Sequence, residues 1–269
     1  MNETIVQQQV QLALLVILSV ILSGRSMTSN HSEIHVSILG FGSLLSESSS
    51  RLTFPMLKNF RLGRVKNYRR VFAHPASIFF QRGLANFETL EMSSLSAEPC
   101  EGATFVCSVF EVPSDCLGAR KENADGDSLP FRVNNQFRER EEEFNIVFVP
   151  YEELDDKKEH MQKSGVLCTR STDEAYLAMW GKHRFEENYG KYGIRTIWGY
   201  DANSGLRPCS VYLRHCVLAA KSMGDPCLFS FLDETFLVDR KTTIRRYLEK
   251  YPHVMKTLPP EKFRSRYGG

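Results

Sequence analysis

Residues 34–45 read Ile34-His35-Val36-Ser37-Ile38-Leu39-Gly40-Phe41-Gly42-Ser43-Leu44-Leu45, an apolar run that ends on a Gly-x-Gly-Ser turn. Val36, Ile38 and Leu39 have the β-branched and apolar character of a strand buried on at least one face, and the two glycines stop it. Glycines two residues apart permit positive φ and close approach of another molecule, leaving Phe41, Ser43 and Leu44 to present successive N–H groups. Such a backbone nest suits a carboxylate or a phosphate, so we place the functional site on this turn. A dinucleotide-binding loop would need a third glycine or alanine near position 45, and an acidic residue about twenty positions on. Leu45 and the stretch Asn59-Phe60-Arg61 stand there instead. A phosphate-cradling Gly-Lys-Ser/Thr loop fails as well, because no lysine follows until Lys58. A plain strand-to-helix turn without a ligand is the bland alternative.

Outward from the turn, residues 61–74 read as a strand pair or one long bent strand, with Val65, Tyr68, Val71 and Phe72 separated by cations. Arg64 and Lys66 suit a solvated face, while Arg69 or Arg70 are candidates for holding an anionic substrate. Residues 76–87 read as a second strand-like patch, and residues 93–96 as a surface loop. Strict alternation makes residues 102–112 the clearest strand of the chain and a central one. Residues 115–130, rich in Gly, Asp and Asn, form a loop longer than ordinary connections.

Residues 131–144 follow, with residues 145–150 as another strand. Read as a helix, Val133, Phe137 and Phe144 define one face; Glu141 falls on it and Glu139 lies roughly opposite. Helical phase alone therefore selects Glu141 for burial, whereas a charged surface helix laced by Glu–Arg pairs would bury neither. Residues 151–183 look helical and amphipathic, interrupted by a strand at 165–170, with Ser171-Thr172-Asp173-Glu174 as a helix start. His183, Glu186, Glu187 and Tyr189 read as polar helix surface rather than metal ligands, and no metal is expected. Residues 211–220 and 242–251 read as helices in which Tyr212, His215, Cys216 and Ala219 have core spacing. Pro252, Pro259 and Pro260 end the ordered part and leave an irregular tail.

With 269 residues, 42% hydrophobic and 25% charged, the chain is an ordinary globular one, able to bury a core without staples. A net charge of +2 gives no whole-chain attraction for nucleic acid, and the basic stretch 240–269 reads as a solvated tail. Seven cysteines without Cys-x-x-Cys or clustered histidine indicate neither a zinc site nor a closed disulfide framework; reduced thiols in a cytoplasmic domain explain them most simply. Residues 12–22 are apolar enough for a weak signal peptide or anchor, and membrane contact is expected through that segment alone; Met27 is an alternative start. The organisation is a leader and linker at 1–32, one domain at 33–252 with a core to 150 and a helical addition at 151–252, and a basic tail at 253–269.

Gly40-Phe41-Gly42-Ser43-Leu44 after an apolar first strand resembles the Tyr-Gly-Ser substrate loop of the γ-glutamylcyclotransferase-like family, which includes the ChaC-type enzymes. Phe41 departs from that pattern and loses the tyrosine hydroxyl. Asn67-Tyr68-Arg69-Arg70-Val71-Phe72 resembles the family's second-strand signature, and Phe137-Arg138-Glu139-Arg140 its Arg-Glu segment; the similarity spans residues 34–150. The resemblance implies an α/β mixed fold: a small β-barrel with flanking helices, here carrying a C-terminal helical addition. It implies a cofactor-independent enzyme that cyclises a γ-glutamyl compound, whether glutathione or a γ-glutamyl amino acid or amine, to 5-oxoproline. Phe41, Gly42, Ser43 and Leu44 would bind the substrate. Glu139, which follows arginine as the family's glutamate does, would be the acid/base, with Glu141 the alternative. Two rivals remain, a non-catalytic protein that binds a γ-glutamyl or carboxylate ligand and a related amide hydrolase.

Overall fold

The computed structural model describes residues 35–114, 135–154 and 163–268. The expectations for the leader, for the loop at 115–130 and for Val133 fall outside them. Five strands close on one another: β1 (His35–Gly40), β2 (Lys58–Pro75), β3 (Glu91–Pro113), β4 (Asn145–Glu153) and β5 (Lys163–Thr169). β3 pairs antiparallel with β1 and β2, β2 with β4, and β4 with β5, and the parallel pairing of β5 with β1 at Ile38 and Val166 completes the ring. The result is a closed mixed β-barrel with flanking helices, the expected fold class. Closure leaves β1 buried on both faces, and its side chains alternate accordingly. Val36 and Ile38 pack with Phe54, Phe110, Phe137 and Val166; Leu39 packs on the other side with Phe41, Leu45, Phe105 and Val109.

β2 is one long strand, bent by register shifts that fall beside Asn59 and Asn67, whose φ values are +53° and +61°. Asparagine tolerates that backbone region, and each shift re-aims the strand around the barrel. Arg70 of β2 is fully buried, stacked 5.0 Å from each of the Phe105 and Phe231 ring centres, and it donates to the Val106 carbonyl and the Ser230 hydroxyl. Burial lowers its pKa to about 10. Arg69 pairs with Glu98 at 2.7 Å. Neither cation lines the site described below, so the idea that one of them holds a substrate is corrected. The thiols nearest Arg70, Cys107, Cys216 and Cys227, are buried, and burial raises the pKa of each.

Helices wrap the barrel: α1 (Glu47–Arg51), α2 (Ser77–Gln81), α3 (Asn135–Arg140), α4 (Asp173–Asn188), α5 (Ser210–Ser222), α6 (Asp225–Asp233), α7 (Ile244–Lys250) and α8 (Arg264–Tyr267). β6 (Arg207–Pro208) extends the sheet beside β3, and β7 (Thr235–Leu237) beside β2. Three expectations change. Residues 77–81 are a helix, because Phe79 and Phe80 enter different clusters, an arrangement that a short apolar run does not distinguish from a strand. Residues 93–96 lie buried inside β3, where ladder pairing with β2 satisfies the backbone and Ser96 donates to the Val71 carbonyl. Residues 151–153 and 163–169 are strand, so the barrel closes only with β5 and the division at residue 150 cuts through it. Among the described residues no helix is long and apolar enough to cross a membrane.

The turn after β1 is held from behind. Ser108 of β3 donates to the Leu44 carbonyl at 2.7 Å and lies 3.2 Å from the Gly40 carbonyl, while Ser50 reaches Leu44 at 2.9 Å. A Cβ on Gly40 would stand 2.5 Å from the Ser108 oxygen, so this glycine is there for space. Because Ser50 still satisfies Leu44, Ser108→Ala should cost only about 1 kcal/mol. That lowers Tm by roughly 2–4 °C for a chain of this size. An unchanged melting temperature would mean that the hydroxyl does not hold the turn.

Candidate active site

The turn opens on a cavity of about 480 Å³. Its wall brings together Phe41, Gly42, Ser43 and Leu44 of the turn, Tyr212 of α5, Glu141 and Glu143 beyond α3, and Arg266 and Tyr267 of α8. The four substrate-binding residues expected from the sequence thus share one concave site. Within the turn, residues Ser43–Leu45 form a 3-10 helix whose first bond runs from the Leu45 N–H to the Gly42 carbonyl at 3.0 Å. Neither glycine of the turn has positive φ. What Gly42 provides is room, since a Cβ there would collide with the Tyr212 hydroxyl. Tyr212 is wedged against Phe79 and Phe72 with ring centres at 5.1 and 6.2 Å, its hydroxyl facing the Ser43 N–H. Burial lifts its pKa well above that of free tyrosine, so it stays a hydrogen-bond donor.

The glutamates sort by side. Glu139 lies on α3, exposed, and does not line the cavity. Beyond Arg140 the helix ends in a tight turn, with the Glu141 N–H still on the Phe137 carbonyl and the Phe144 N–H on the Glu141 carbonyl, both at 3.0 Å. Glu141 and Glu143 face the cavity, while Glu142 faces α4, bonded by Arg184 at 2.6 Å and Asn188 at 2.8 Å. The indole N–H groups of Trp180 and Trp198 donate to the backbone carbonyls of Glu142 and Glu143, both at 3.0 Å, and so lock this rotation. Glu141 pairs with Arg140 at 3.1 Å. Burial raises its pKa, and the charges of Arg140 and Arg266 partly offset that rise. Burial, reinforced by Glu141, pushes Glu143 to about 8.

Cys168 of β5 also lines the wall, but burial and Glu141 raise its pKa well above that of a free thiol, which makes it a poor nucleophile. Among the described residues no group of His, Cys, Asp or Glu side chains is arranged to hold a metal ion. Three contributors escaped the sequence reading. Glu143 sits off the helical face, Tyr212 is buried like the core residue it was taken for, and Arg266 belongs to the supposedly irregular tail. Only Tyr212 carried a signal: a hydroxyl on an apolar helix face needs a partner.

No family model matches the sequence, and no curated protein does. Three solved structures are similar at low identity. One, titled gamma-glutamyl cyclotransferase, is 11% identical with a TM-score of 0.42, over 83% of this chain and 100% of the other. An uncharacterized Homo sapiens protein is 11% identical with a TM-score of 0.42, over 71% and 82% of the two chains. A yeast gamma-glutamyl cyclotransferase specific to glutathione is 10% identical with a TM-score of 0.41, over 82% and 96%.

The raised pKa of Glu143 has a stability signature. Because its folded pKa of about 8 exceeds its ordinary value of 4.5, the stability it contributes is complete below pH 4.5 and is lost as pH rises through 8. Glu143→Gln should remove that loss, so the variant gains several degrees in Tm relative to the parent between pH 5.5 and 9. A Tm difference that stays constant across that range would show that Glu143 does not titrate there.

Proposed function

We propose that this chain is a γ-glutamylcyclotransferase that needs no cofactor and converts a γ-glutamyl compound to 5-oxoproline and a free amine. The observation that carries the reading is that a partly exposed carboxylate with a raised pKa, Glu141, shares one cavity with the turn Phe41 to Leu44. The carbonyls of Gly40, Gly42 and Leu44 are engaged by Ser108, Leu45 and Ser50, which leaves the turn's amide N–H groups as what it can give a ligand in this reading. Those groups suit the substrate α-carboxylate, and one of them suits the oxyanion that forms at the γ-carbonyl.

Glu141 takes a proton from the substrate α-ammonium, and the freed nitrogen attacks the γ-carbonyl carbon of the same molecule, forming the ring C–N bond. As the tetrahedral intermediate collapses, the original amide C–N bond breaks, Glu141 returns the proton to the departing nitrogen, and the ring nitrogen gives up its second proton to solvent or to the released amine. Nothing is oxidised or reduced. Attack within one molecule makes folding of the glutamyl chain the main task of the wall, and Tyr212 beside Gly42 is placed to fix that fold. Glu143 stays a neutral acid up to about pH 8, while burial is what keeps Glu141 basic enough to act.

Glu141→Gln should lower kcat about a hundredfold or more, the range of general-base contributions, and leave substrate binding nearly intact. Glu139→Gln should be close to the parent; the opposite ranking would return the role to Glu139. 5-Oxoproline formed from glutathione and from γ-glutamyl amino acids is the readout. Free glutamate in its place would make the protein an amide hydrolase, and binding without either product a binding module.

Gly42→Val should abolish turnover while unfolding the protein less than it inactivates it, because the added methyls displace the Tyr212 hydroxyl from the turn. An unchanged kcat/KM for that variant would remove the turn from the site.

A further inference from the structure

The charges on the cavity wall do not balance. Arg82, Arg140 and Arg266 line it against Glu141 and Glu143. Arg140 is taken by Glu141 at 3.1 Å, and Glu143 is a neutral acid at pH 7. Arg82 and Arg266 remain, and neither makes an ion pair with any described residue. Arg82 donates to the Tyr267 hydroxyl at 2.7 Å, and its Cζ lies 5.7 Å from the centre of that ring. The Cζ of Arg266 lies 5.9 Å from the same ring, and its Nε is buried with no hydrogen-bond partner among the described residues. That Nε is itself shielded from the cavity, so what Arg82 and Arg266 offer a ligand there is positive charge without an ion-pair partner among the described residues.

The segment that carries Arg266 is fixed in place. Tyr267 is 3% exposed and packs edge-on against His215, with ring centres 5.8 Å apart. Arg214 donates to the carbonyls of Gly268 and Met255, both at 3.2 Å. Arg82 and Arg266 both line the cavity beside the Tyr267 ring, and a guanidinium there suits a carboxylate. In a γ-glutamyl substrate the α-carboxylate belongs to the Phe41–Leu44 turn, so the anion left for these two cations must come from the leaving group.

We infer that Arg266, with Arg82, forms a carboxylate-binding subsite for the leaving group, so that the protein selects γ-glutamyl amino acids and peptides with a free carboxylate over γ-glutamyl amines. This inference rests on the reading of the cavity as a γ-glutamyl site. The role is one of specificity: Arg266 touches the substrate away from the bonds that change.

The test compares γ-glutamylglycine with γ-glutamylglycinamide, which differ only in that carboxylate, by calorimetric Kd and by 5-oxoproline formation. The parent should prefer the acid by about tenfold or more, as expected for hydrogen bonds to a charged group. Arg266→Gln should bring the ratio near one by weakening the acid and leaving the amide unchanged, and Arg266→Lys should restore part of the preference. Arg264→Gln, exposed on the same turn, should behave as the parent. Equal affinity of the parent for acid and amide overturns the inference, as does a ratio that survives Arg266→Gln or the binding of neither compound. If the acid is preferred in binding and Arg266→Gln abolishes that preference while no 5-oxoproline forms, the subsite stands and the cyclotransferase reading falls.

Discussion

Two hydrogen bonds decide which carboxylates this protein presents. The indoles of Trp180 and Trp198 grip consecutive carbonyls, those of Glu142 and Glu143, from opposite ends of the α4 region. Each grip is itself supported. Trp198 stacks on His74 at 4.3 Å and lies under the Arg170 guanidinium at 5.6 Å, while Asp173 accepts the N–H groups of Ile197 and Trp198 at 2.9 Å each. Burial lowers the pKa of His74 to about 3, so the ring remains neutral and stacks as an aromatic. Trp180 reaches its carbonyl from a helix that bends at Gly181, whose φ of +79° only glycine adopts readily. Gln in place of Glu142 would keep the segment's shape but lose the ion pair to Arg184, whereas loss of either indole would free the rotation itself.

Held in this way, the segment beyond α3 is a hydrogen-bonded turn, its Glu141 N–H on the Phe137 carbonyl and its Phe144 N–H on the Glu141 carbonyl, that sends Glu141 and Glu143 to the cavity and Glu142 to α4. Position within that turn then matters more than composition. The run of acidic residues at 141–143 is thus three side chains with two environments: one set for structure through Arg184 and Asn188, the other set in a dry wall where carboxyls become weak acids.

What the sequence disclosed follows contact range. β1 and its turn were legible because the pattern is local, apolar residues followed by two glycines, even though the room those glycines leave is for Ser108 and Tyr212, far away in sequence. The 102–112 strand was legible for the same reason. Residues 77–81 and 93–96 were not, since an apolar run fits helix and strand alike, and serines become core residues only when a partner strand satisfies the backbone. Glu141 was indicated by helical phase and Glu139 by motif, and the geometry favours the former even though the helix that justified it ends at Arg140. Arg266 and Glu143 were beyond reach: each acquires its meaning from residues far off in sequence, and a basic residue in a proline-punctuated tail looks the same whether it faces solvent or a cavity.

The buried Arg70 has a consequence for handling the protein. The thiols around it, Cys107, Cys216 and Cys227, together with Cys209, are fully enclosed and held protonated by burial, so alkylating reagents meet neither an open path nor a thiolate in the folded state. Cys100, at the register shift in the middle of the β2–β3 pair, is partly exposed. Modification of the four enclosed thiols by a thiol reagent therefore acts as a clock for the barrel, counting the moments at which the core itself comes open, whereas Cys100 and the cavity-lining Cys168 are partly exposed from the start.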